Sequence, residues 1–344
     1  MAYTTVPKST DYFTPTLYTG NATARSLTGV GFEPSWVWIK ERTSGSAHML
    51  FDQPRGVQKY ISTNNTNAQT TTTVMLSAFG NDGFSLGNGD DVNDNGQTYV
   101  AWNWKANGQG SSNTDGSTNT IYTSASATSG FSISTYTGSG GNATIGHGLG
   151  AVPKMIIIKS LANTTNWMVY SSVTGNNSEL YLNSSSAATG SSTVWQDTDP
   201  TSSVFSVAGG AGDGVNASGD YVAYCFADVP GFSKIGSYIG NGNDNGTFVY
   251  TGFKPAYVLA KRTNGSYKWL ISDNKRNPSN SVQQYLSAEY ADADASGLDL
   301  DFLSNGFKLR TTDAQRNASG SPYFYMAFAE EPFVSTNGQP ATAR

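Results

Sequence analysis

The sequence predicts an all-β protein made of three tandem, related domains, each a β-sandwich of jelly-roll type. Three observations lead to this prediction. One segment pattern occurs three times along the 344 residues. Runs rich in Val, Ile, Trp and Tyr recur within each occurrence, and Gly, Asn, Asp and Ser clusters separate them at intervals of about 8–12 residues. We find no long stretch with apolar residues at helical spacing, and the 38 glycines would weaken such a helix.

The first landmark of the repeat opens each unit. The segment LYTGNATARSLTGVGFEPSWVWIKER begins at Leu17, and related segments begin at Thr135 and Ser237. Corresponding residues are Tyr18, Tyr136 and Tyr238, then Pro34, Pro153 and Pro255, then Lys40, Lys159 and Lys261. Residues 35–40, 154–159 and 256–261 are predicted strands because β-branched and aromatic side chains suit a pleated surface.

The second landmark closes each unit. GFSLGNGDDVNDNGQTYVAWNW begins at Gly83, and its counterparts begin at Val204 and Gly306. Corresponding residues are Asn93, Asn216 and Asn317, then Gly96, Gly219 and Gly320. The final runs, residues 99–104, 221–226 and 325–328, are apolar on both faces, which predicts a central strand covered on both sides.

The landmarks set the predicted boundaries. Unit one covers residues 1–106, unit two 130–234 and unit three 235–333, each about the length of a sandwich domain. Residues 107–129 are polar and low in complexity, and are interpreted as a linker or a surface strand. Residues 334–344 form a predicted extended tail. We therefore expect units two and three to pack rigidly, with unit one on a longer tether.

Composition excludes several functional classes. The formal net charge is −5 without a basic block, which argues against nucleic-acid binding. The longest apolar run near the middle of the chain is far shorter than the ~20 residues of a membrane helix, so no membrane insertion is expected. The N-terminus lacks the pattern of a secretory signal. Cys225 is the only cysteine, so an internal disulfide is excluded.

The repeat itself tests candidate sites, because a residue type shared by all three units is expected to be structural. Ser85 lies in a Gly-x-Ser-x-Gly match to the nucleophile elbow, but Ser206 and Lys308 hold its place in the other units, as in an alternating strand. The two histidines, His48 and His147, have no Cys or His neighbour at metal-ligand spacing. All three residues are therefore expected to be structural.

Two unit-specific groups remain as candidate binding sites. Asp292, Asp294 and Asp299 lie in an acidic loop of unit three and are the predicted ligands of a Ca²⁺ ion. No other cofactor is expected. Trp195 lies in a polar stretch beside Asp197 and Asp199, and this group is the predicted ligand-binding site, with the indole as an exposed aromatic contact.

The landmarks also resemble a tandem-repeat β-domain family of virion and tail-fibre-like proteins from tailed, particularly marine, bacteriophages. The matching stretches are 17–21, 31–42, 48–56, 60–64, 79–87, 99–106, 146–159, 222–234, 238–262, 301–308 and 325–333. Unit two departs from the pattern where Phe51-Asp52 becomes Tyr170-Ser171, so this acid is not a shared ligand. The resemblance implies a role on the virion surface, and it transfers no catalytic residue.

The resulting hypothesis is a non-enzymatic phage virion structural protein of tail-fibre or adhesin type. Its expected partners are other virion proteins and a host-surface glycan or protein. It would be made in the host cytoplasm, displayed on the virion surface and assembled as a homo-oligomer, with a trimer favoured. The alternatives are a capsid-decorating head fibre or spike, an extracellular carbohydrate-binding module, and a polysaccharide depolymerase using the acid pairs 197/199 or 299/301.

Overall fold

The structure is a computed structural model that describes residues 4–210 and 214–330. The predicted all-β class is confirmed, since the described residues contain only a 3₁₀ turn at Ser9–Asp11 and one short helix, α1, at Asp90–Asn93, besides strands. The predicted tail, 334–344, lies outside the described residues.

The strands of unit one begin soon after the 3₁₀ turn. They are β1 (Phe13–Thr19), β2 (Arg25–Thr28), β3 (Trp36–Glu41), β4 (Met49–Asp52), β5 (Lys59–Tyr60), β6 (Thr70–Thr71), β7 (Leu76–Gly80), β8 (Gly83–Leu86) and β9 (Thr98–Trp104). Those that follow, through unit two, are β10 (Tyr122–Ser126), β11 (Phe131–Gly138), β12 (Ala143–Gly146), β13 (Met155–Ser160), β14 (Met168–Ser171), β15 (Ser178–Tyr181), β16 (Thr189–Gly190), β17 (Val204–Val207) and β18 (Gly219–Phe226). Unit three contains β19 (Ser233–Ile239), β20 (Phe248–Tyr250), β21 (Pro255–Arg262), β22 (Trp269–Asp273), β23 (Leu286–Ser287), β24 (Leu300–Leu303), β25 (Gly306–Leu309) and β26 (Pro322–Ala329).

The main sheets of the three units have the same antiparallel strand order. They run β1-β9-β3-β4 in unit one, β11-β18-β13-β14 within the larger sheet of unit two, and β19-β26-β21-β22 in unit three. The register also agrees, because the paired tyrosines are Tyr18 with Tyr99, Tyr136 with Tyr221, and Tyr238 with Tyr323. In each unit the closing strand lies between two others, as its apolar sequence predicts.

A smaller sheet faces the main sheet in each unit. Its strand order is β2-β8-β7 in unit one, β12-β17 in unit two and β20-β25-β24 in unit three. In unit one, Leu27 and Phe84 of the small sheet share a buried cluster with Val37 and Ile39 of the main sheet. Each small sheet therefore covers one apolar face of its main sheet, because alternate residues of a strand point to opposite faces.

Residues 107–129, for which the sequence left a linker or a surface strand open, include a strand. Their strand β10 pairs with β11 and lengthens the main sheet of unit two. Thr123 and Ser124 are buried, and the hydroxyls of Thr123 and Ser134 hydrogen-bond at 3.1 Å. A polar segment can form such a strand because hydroxyl groups that bond to one another can be buried in place of apolar side chains.

The three units share one aromatic core, so the predicted tether of unit one is wrong. Trp36 of unit one stacks on Tyr224 of unit two with ring centroids 4.6 Å apart. Phe13 of unit one lies 5.0 Å from Phe328 of unit three, which in turn lies 6.2 Å from Phe226 of unit two. The second face of each main sheet is buried against the other units, and this burial holds unit one in place whatever the length of the connection. The division into three domains stays a prediction.

Candidate functional site

The units contact one another through equivalent groups at three interfaces, which we call one–two, two–three and three–one. One backbone hydrogen bond recurs at every interface. It runs from Gln69 N to Leu161 O (3.0 Å), from Ala188 N to Thr263 O (2.9 Å) and from Asp294 N to Arg42 O (2.9 Å). Because the third bond returns to unit one, the contacts close into a ring within a single chain.

A hydrogen bond from a side-chain ring nitrogen to a backbone carbonyl also recurs at each of the three interfaces. The donors and acceptors are Trp167 Nε1 and Ser62 O (3.0 Å), Trp269 Nε1 and Tyr181 O (2.9 Å), and His48 Nε2 and Ser287 O (3.0 Å). His48 therefore occupies the place of a tryptophan in the other units. Unit one carries its tryptophan on the neighbouring strand instead. Trp38 occupies the register position of Ile157 and Leu259.

The residues shared by all units have structural partners. The buried side-chain amides of Asn93, Asn216 and Asn317 each accept a backbone N–H and donate to loop carbonyls of their own unit. The hydroxyls of Tyr18, Tyr136 and Tyr238 donate to the carbonyls of Val92, Val215 and Arg316. Asparagine at these turns and tyrosine in these strands thus satisfy buried backbone groups, the scaffolding role expected of shared residues.

The three equivalent lysines are also structural. Lys40, Lys159 and Lys261 are buried, and each ammonium group donates to carbonyls of the following loop. Lys159 and Lys261 also donate across an interface, to Thr66 O at 3.2 Å and Ser185 O at 3.2 Å. Burial lowers the pKa of each lysine to about 8. A lowered lysine pKa can mark a catalytic site, but its presence in all three units fits a repeated structural role.

An aspartate and an arginine three residues apart distinguish units one and three from unit two. Arg55 Nε contacts Asp52 Oδ2 at 2.5 Å, and Arg276 Nε contacts Asp273 Oδ2 at 2.6 Å. In both pairs the backbone N–H of the arginine donates to the other carboxylate oxygen, and Nη2 donates to a carbonyl of the preceding strand. Unit two has Ser171 at the position of these aspartates.

The remaining guanidinium nitrogen is satisfied differently at two interfaces. At three–one, Arg276 Nη1 meets Asp294 Oδ1 at 2.8 Å, while Arg42 Nε meets Asp294 Oδ2 at 2.7 Å. At one–two, the residues in the places of Asp294 and Arg42 are Gln69 and Leu161. There Arg55 Nη1 has only a 3.3 Å hydrogen bond to Gln69 Oε1.

A cavity opens at interface one–two beside Arg55. Its volume is about 250 Å³. It is lined by Pro54, Arg55, Lys59, Gln69, Ile121, Tyr122, Thr135, Leu161, Ala162 and Asp220. Two cations, an amide, a hydroxyl and an exposed carboxylate therefore face a space that also has an aromatic and aliphatic wall, a composition typical of a small polar-ligand site.

Trp195 is not the exposed aromatic contact that its neighbours predict. It is 1% exposed, its Nε1 donates to Ser178 O at 3.1 Å, and its ring meets Tyr170 edge-on at 5.7 Å. Asp197 and Asp199 remain exposed, and Asp199 accepts a hydrogen bond from the Tyr170 hydroxyl at 3.2 Å. The polar flanking sequence did not reveal that the indole covers one edge of the core of unit two, so Trp195 does not share a surface with Asp197 and Asp199.

The acidic loop of unit three does not gather its carboxylates either. Asp292 lies 3.5 Å from Lys268, Asp294 is held by two guanidinium groups, and Asp299 accepts a 2.9 Å hydrogen bond from the Ser281 hydroxyl. Within residues 4–210 and 214–330 there is no cluster of three or more His, Cys, Asp or Glu side chains suited to a metal ion. Each of the three carboxylates therefore has a different partner, and their assignment to one cation stays a prediction. Calcium binding by the protein stays a prediction.

The serine and histidines considered as catalytic residues have structural surroundings. Ser85 lies within β8, not at a strand-to-helix turn, and its hydroxyl bonds to Ser26 at 2.8 Å. His147 Nδ1 accepts from the backbone N–H of Leu149 at 3.2 Å. These contacts agree with the structural expectation for both residues.

Two ionisable groups at interface three–one have displaced pKa values. Burial lowers the pKa of His48 to about 3, and its Nδ1 accepts from Trp38 Nε1 at 2.8 Å, which leaves the proton on Nε2. Burial raises the pKa of Glu289 to about 7, while the backbone N–H of Trp269 donates to its carboxylate. Asn64 and Asn183 accept the equivalent N–H in the other units.

Exposed aromatic side chains occur elsewhere, on the edge strand β20. Phe248 is 44% exposed and Tyr250 is 62% exposed, on the same side of that strand. The register places Ser26 and Thr28 at these positions in unit one, and Thr144 and Gly146 in unit two. Phe248 and Tyr250 differ from the small or hydroxyl-bearing residues at the same positions of the other units, and this difference is the sequence signal for the pair.

The cavity residues were also missed by sequence reasoning. The motif containing Asp52 and Arg55 was visible in the sequence, but Lys59, Tyr122 and Asp220 come from segments that meet only where unit one packs against unit two. The sequence signal for this site was that unit two has no arginine at the position equivalent to Arg55.

Comparison with known proteins identifies a family without assigning a function. No described helix is long and apolar enough to cross a membrane. No curated protein and no solved structure matches the chain. A domain family of unknown function, DUF7483, matches residues 8–332, nearly the whole of the described ring. The chain belongs to the DUF7483 family.

Proposed function

We propose that this chain is a non-enzymatic structural protein of a bacteriophage particle, of tail-fibre or adhesin type, that contacts the host surface. The observation that carries the proposal is the closed ring. Residues shared by the three units are buried and have structural partners, whereas two of the features that differ between units, the one–two cavity and the β20 aromatics, are open to solvent. A rigid scaffold with variable exposed loops suits attachment.

The test is immunogold labelling of particles from the phage that encodes the chain. Labelled tail fibres or tips are the expected result. Labelling of the head would favour the capsid-decorating alternative, and unlabelled particles would contradict the virion assignment. Mass spectrometry of the same purified particles provides an independent measurement.

The non-enzymatic part of the proposal has its own test. The purified chain is incubated with host capsular polysaccharide, and released reducing ends are measured. We expect no release. Release that disappears in an Asp197→Asn/Asp199→Asn variant would overturn the proposal in favour of a depolymerase.

A carbohydrate-binding module is the second candidate, because the one–two cavity combines ionic, hydroxyl and aromatic groups. Such a module would bind saccharide as an isolated domain of a cellular protein, and it would be absent from purified particles. Particle labelling therefore separates the two functions even if both bind sugars.

A further inference from the structure

We propose that the cavity at interface one–two binds a small carboxylate-bearing saccharide, a uronate, with its carboxylate on Arg55 and Lys59 and its hydroxyls toward Asp220. The inference rests on the proposed attachment function and adds a ligand class to it. The test below uses purified chain, so failure here is distinguishable from failure of particle labelling.

Interface three–one shows which group satisfies this arginine. There the equivalent guanidinium of Arg276 meets the carboxylate of Asp294 at 2.8 Å, and Arg42 binds the other oxygen at 2.7 Å. The carboxylate thus bridges two cations with one oxygen on each, and both contacts are short, charge-assisted hydrogen bonds. The chain supplies that carboxylate itself at three–one.

At one–two the same place is held by neutral residues. Gln69 takes the position of Asp294, and its Oε1 is a longer, uncharged acceptor 3.3 Å from Arg55 Nη1. Leu161 takes the position of Arg42, which removes the second guanidinium and leaves space. Arg55 is therefore paired with Asp52 alone and lines an open cavity, whereas Arg276 is paired with two carboxylates.

The other walls fit a ligand that carries hydroxyl groups. Lys59 lines the cavity and makes no ion pair with another described residue, so its ammonium group is available to a ligand anion. Asp220 accepts from the Thr137 hydroxyl at 2.7 Å through one oxygen, leaving the second for ligand hydroxyls. Tyr122 and the half-exposed Ile121 supply the apolar contact that a sugar ring needs.

An anion without hydroxyls would use only one side of this cavity. A carboxylate opposite Asp220 would be repelled unless neutral groups separate the two charges, and a pyranose ring provides that spacing. This favours a uronate over a peptide C-terminus, which carries a carboxylate but lacks ring hydroxyls.

The experiment is a calorimetric or NMR titration of the full chain with D-glucuronate and D-galacturonate. Glucose, acetate and N-acetylalanine are titrated in parallel, representing a neutral sugar, a bare carboxylate and a peptide terminus. We expect at least one of the two uronates to bind at least tenfold more tightly than each of the three control compounds. Equal binding of glucose, acetate or N-acetylalanine, or no uronate binding, would overturn the proposal.

Two variants locate the site. Gln69→Asp/Leu161→Arg copies the three–one network into interface one–two and should reduce uronate affinity at least tenfold in a folded protein. Lys59→Gln changes only a partly exposed side chain and should reduce affinity severalfold without altering the melting temperature. Undiminished uronate binding in both variants would place the ligand elsewhere and contradict the assignment.

Discussion

Tyr224 of unit two donates its hydroxyl to Asp52 of unit one across 2.7 Å, inside the buried interface that joins the two units. Trp102 of unit one makes the equivalent bond to Asp273 of unit three at 3.0 Å. At the third interface the corresponding residues are Met326 and Ser171, so donor and acid are absent together. A buried carboxylate requires donors, and the chain carries a donor only where it carries the acid.

This pairing predicts the effect of Tyr224→Phe. The substitution removes one donor to Asp52 and leaves the ring packing in place, so the free energy of unfolding should fall by about 1–3 kcal/mol. Denaturant unfolding measures the change. Met326→Leu, at the equivalent position without an acid, is the control and should cost about 1 kcal/mol or less. Equal costs for the two variants would mean that the bond to Asp52 has no special role.

The network of Asp294 predicts non-additive substitutions. Asp294→Gln leaves Arg276 and Arg42 with an uncharged partner and should destabilise the protein by about 3–5 kcal/mol. Adding Arg42→Leu recreates the arrangement of interface one–two, so the double variant should be more stable than Asp294→Gln alone.

A double-mutant cycle from equilibrium unfolding gives the coupling energy. Because all three side chains belong to one network, we expect at least about 1 kcal/mol of coupling. Strict additivity would contradict direct pairing of Asp294 with Arg42.

His48 predicts a loss of stability in acid. Its pKa is about 3 in the folded protein against 6.5 when unperturbed, so between these pH values only the unfolded chain binds the proton. Stability should therefore fall as the pH falls, with this residue contributing about 2 kcal/mol between pH 7 and pH 5.

The matched variant is Trp38→Leu/His48→Trp, which copies the pair Leu259 and Trp269 of unit three. Its stability relative to the parent should rise by about 2 kcal/mol between pH 7 and pH 5, measured by urea unfolding. A pH-independent difference between the two proteins would show that His48 titrates normally.

Glu289 predicts the opposite pH dependence at the same interface. Because its pKa is raised to about 7 in the fold, the native state retains a proton that the unfolded chain releases above pH 4.5. Its contribution to stability should decline as the pH rises from 5 to 8. Glu289→Asn, which copies Asn64 and Asn183 of the other units, should gain about 2–3 kcal/mol relative to the parent over that range. Parallel pH profiles of variant and parent in urea unfolding would refute the raised pKa.

The exposed pair on β20 predicts a change in surface behaviour without a change in stability. Phe248→Ser/Tyr250→Thr gives this strand residues like those of unit one and should alter the free energy of unfolding by about 0.5 kcal/mol or less. If the pair is an attachment surface, binding of the chain to host cells should fall. A large stability loss would instead show that the aromatics belong to the core.

The sequence allowed the scaffold to be predicted better than the candidate site. Tyr18 and Asn93 recur in each unit at fixed spacing, and their equivalents occupy matching structural positions. Trp195 was misassigned because local polarity does not report burial by strands distant in sequence. The role of Arg55 depends on which unit packs against it, and an alignment of the repeats does not show how the units pack.

We conclude that the three units form one cooperative structure with a common core. Differential scanning calorimetry of the full chain tests it most directly, by comparing the calorimetric with the van't Hoff enthalpy. The shared aromatic core predicts a single transition with a ratio near 1. Separate transitions, or a ratio near 3, would show that the units unfold independently and would contradict the ring.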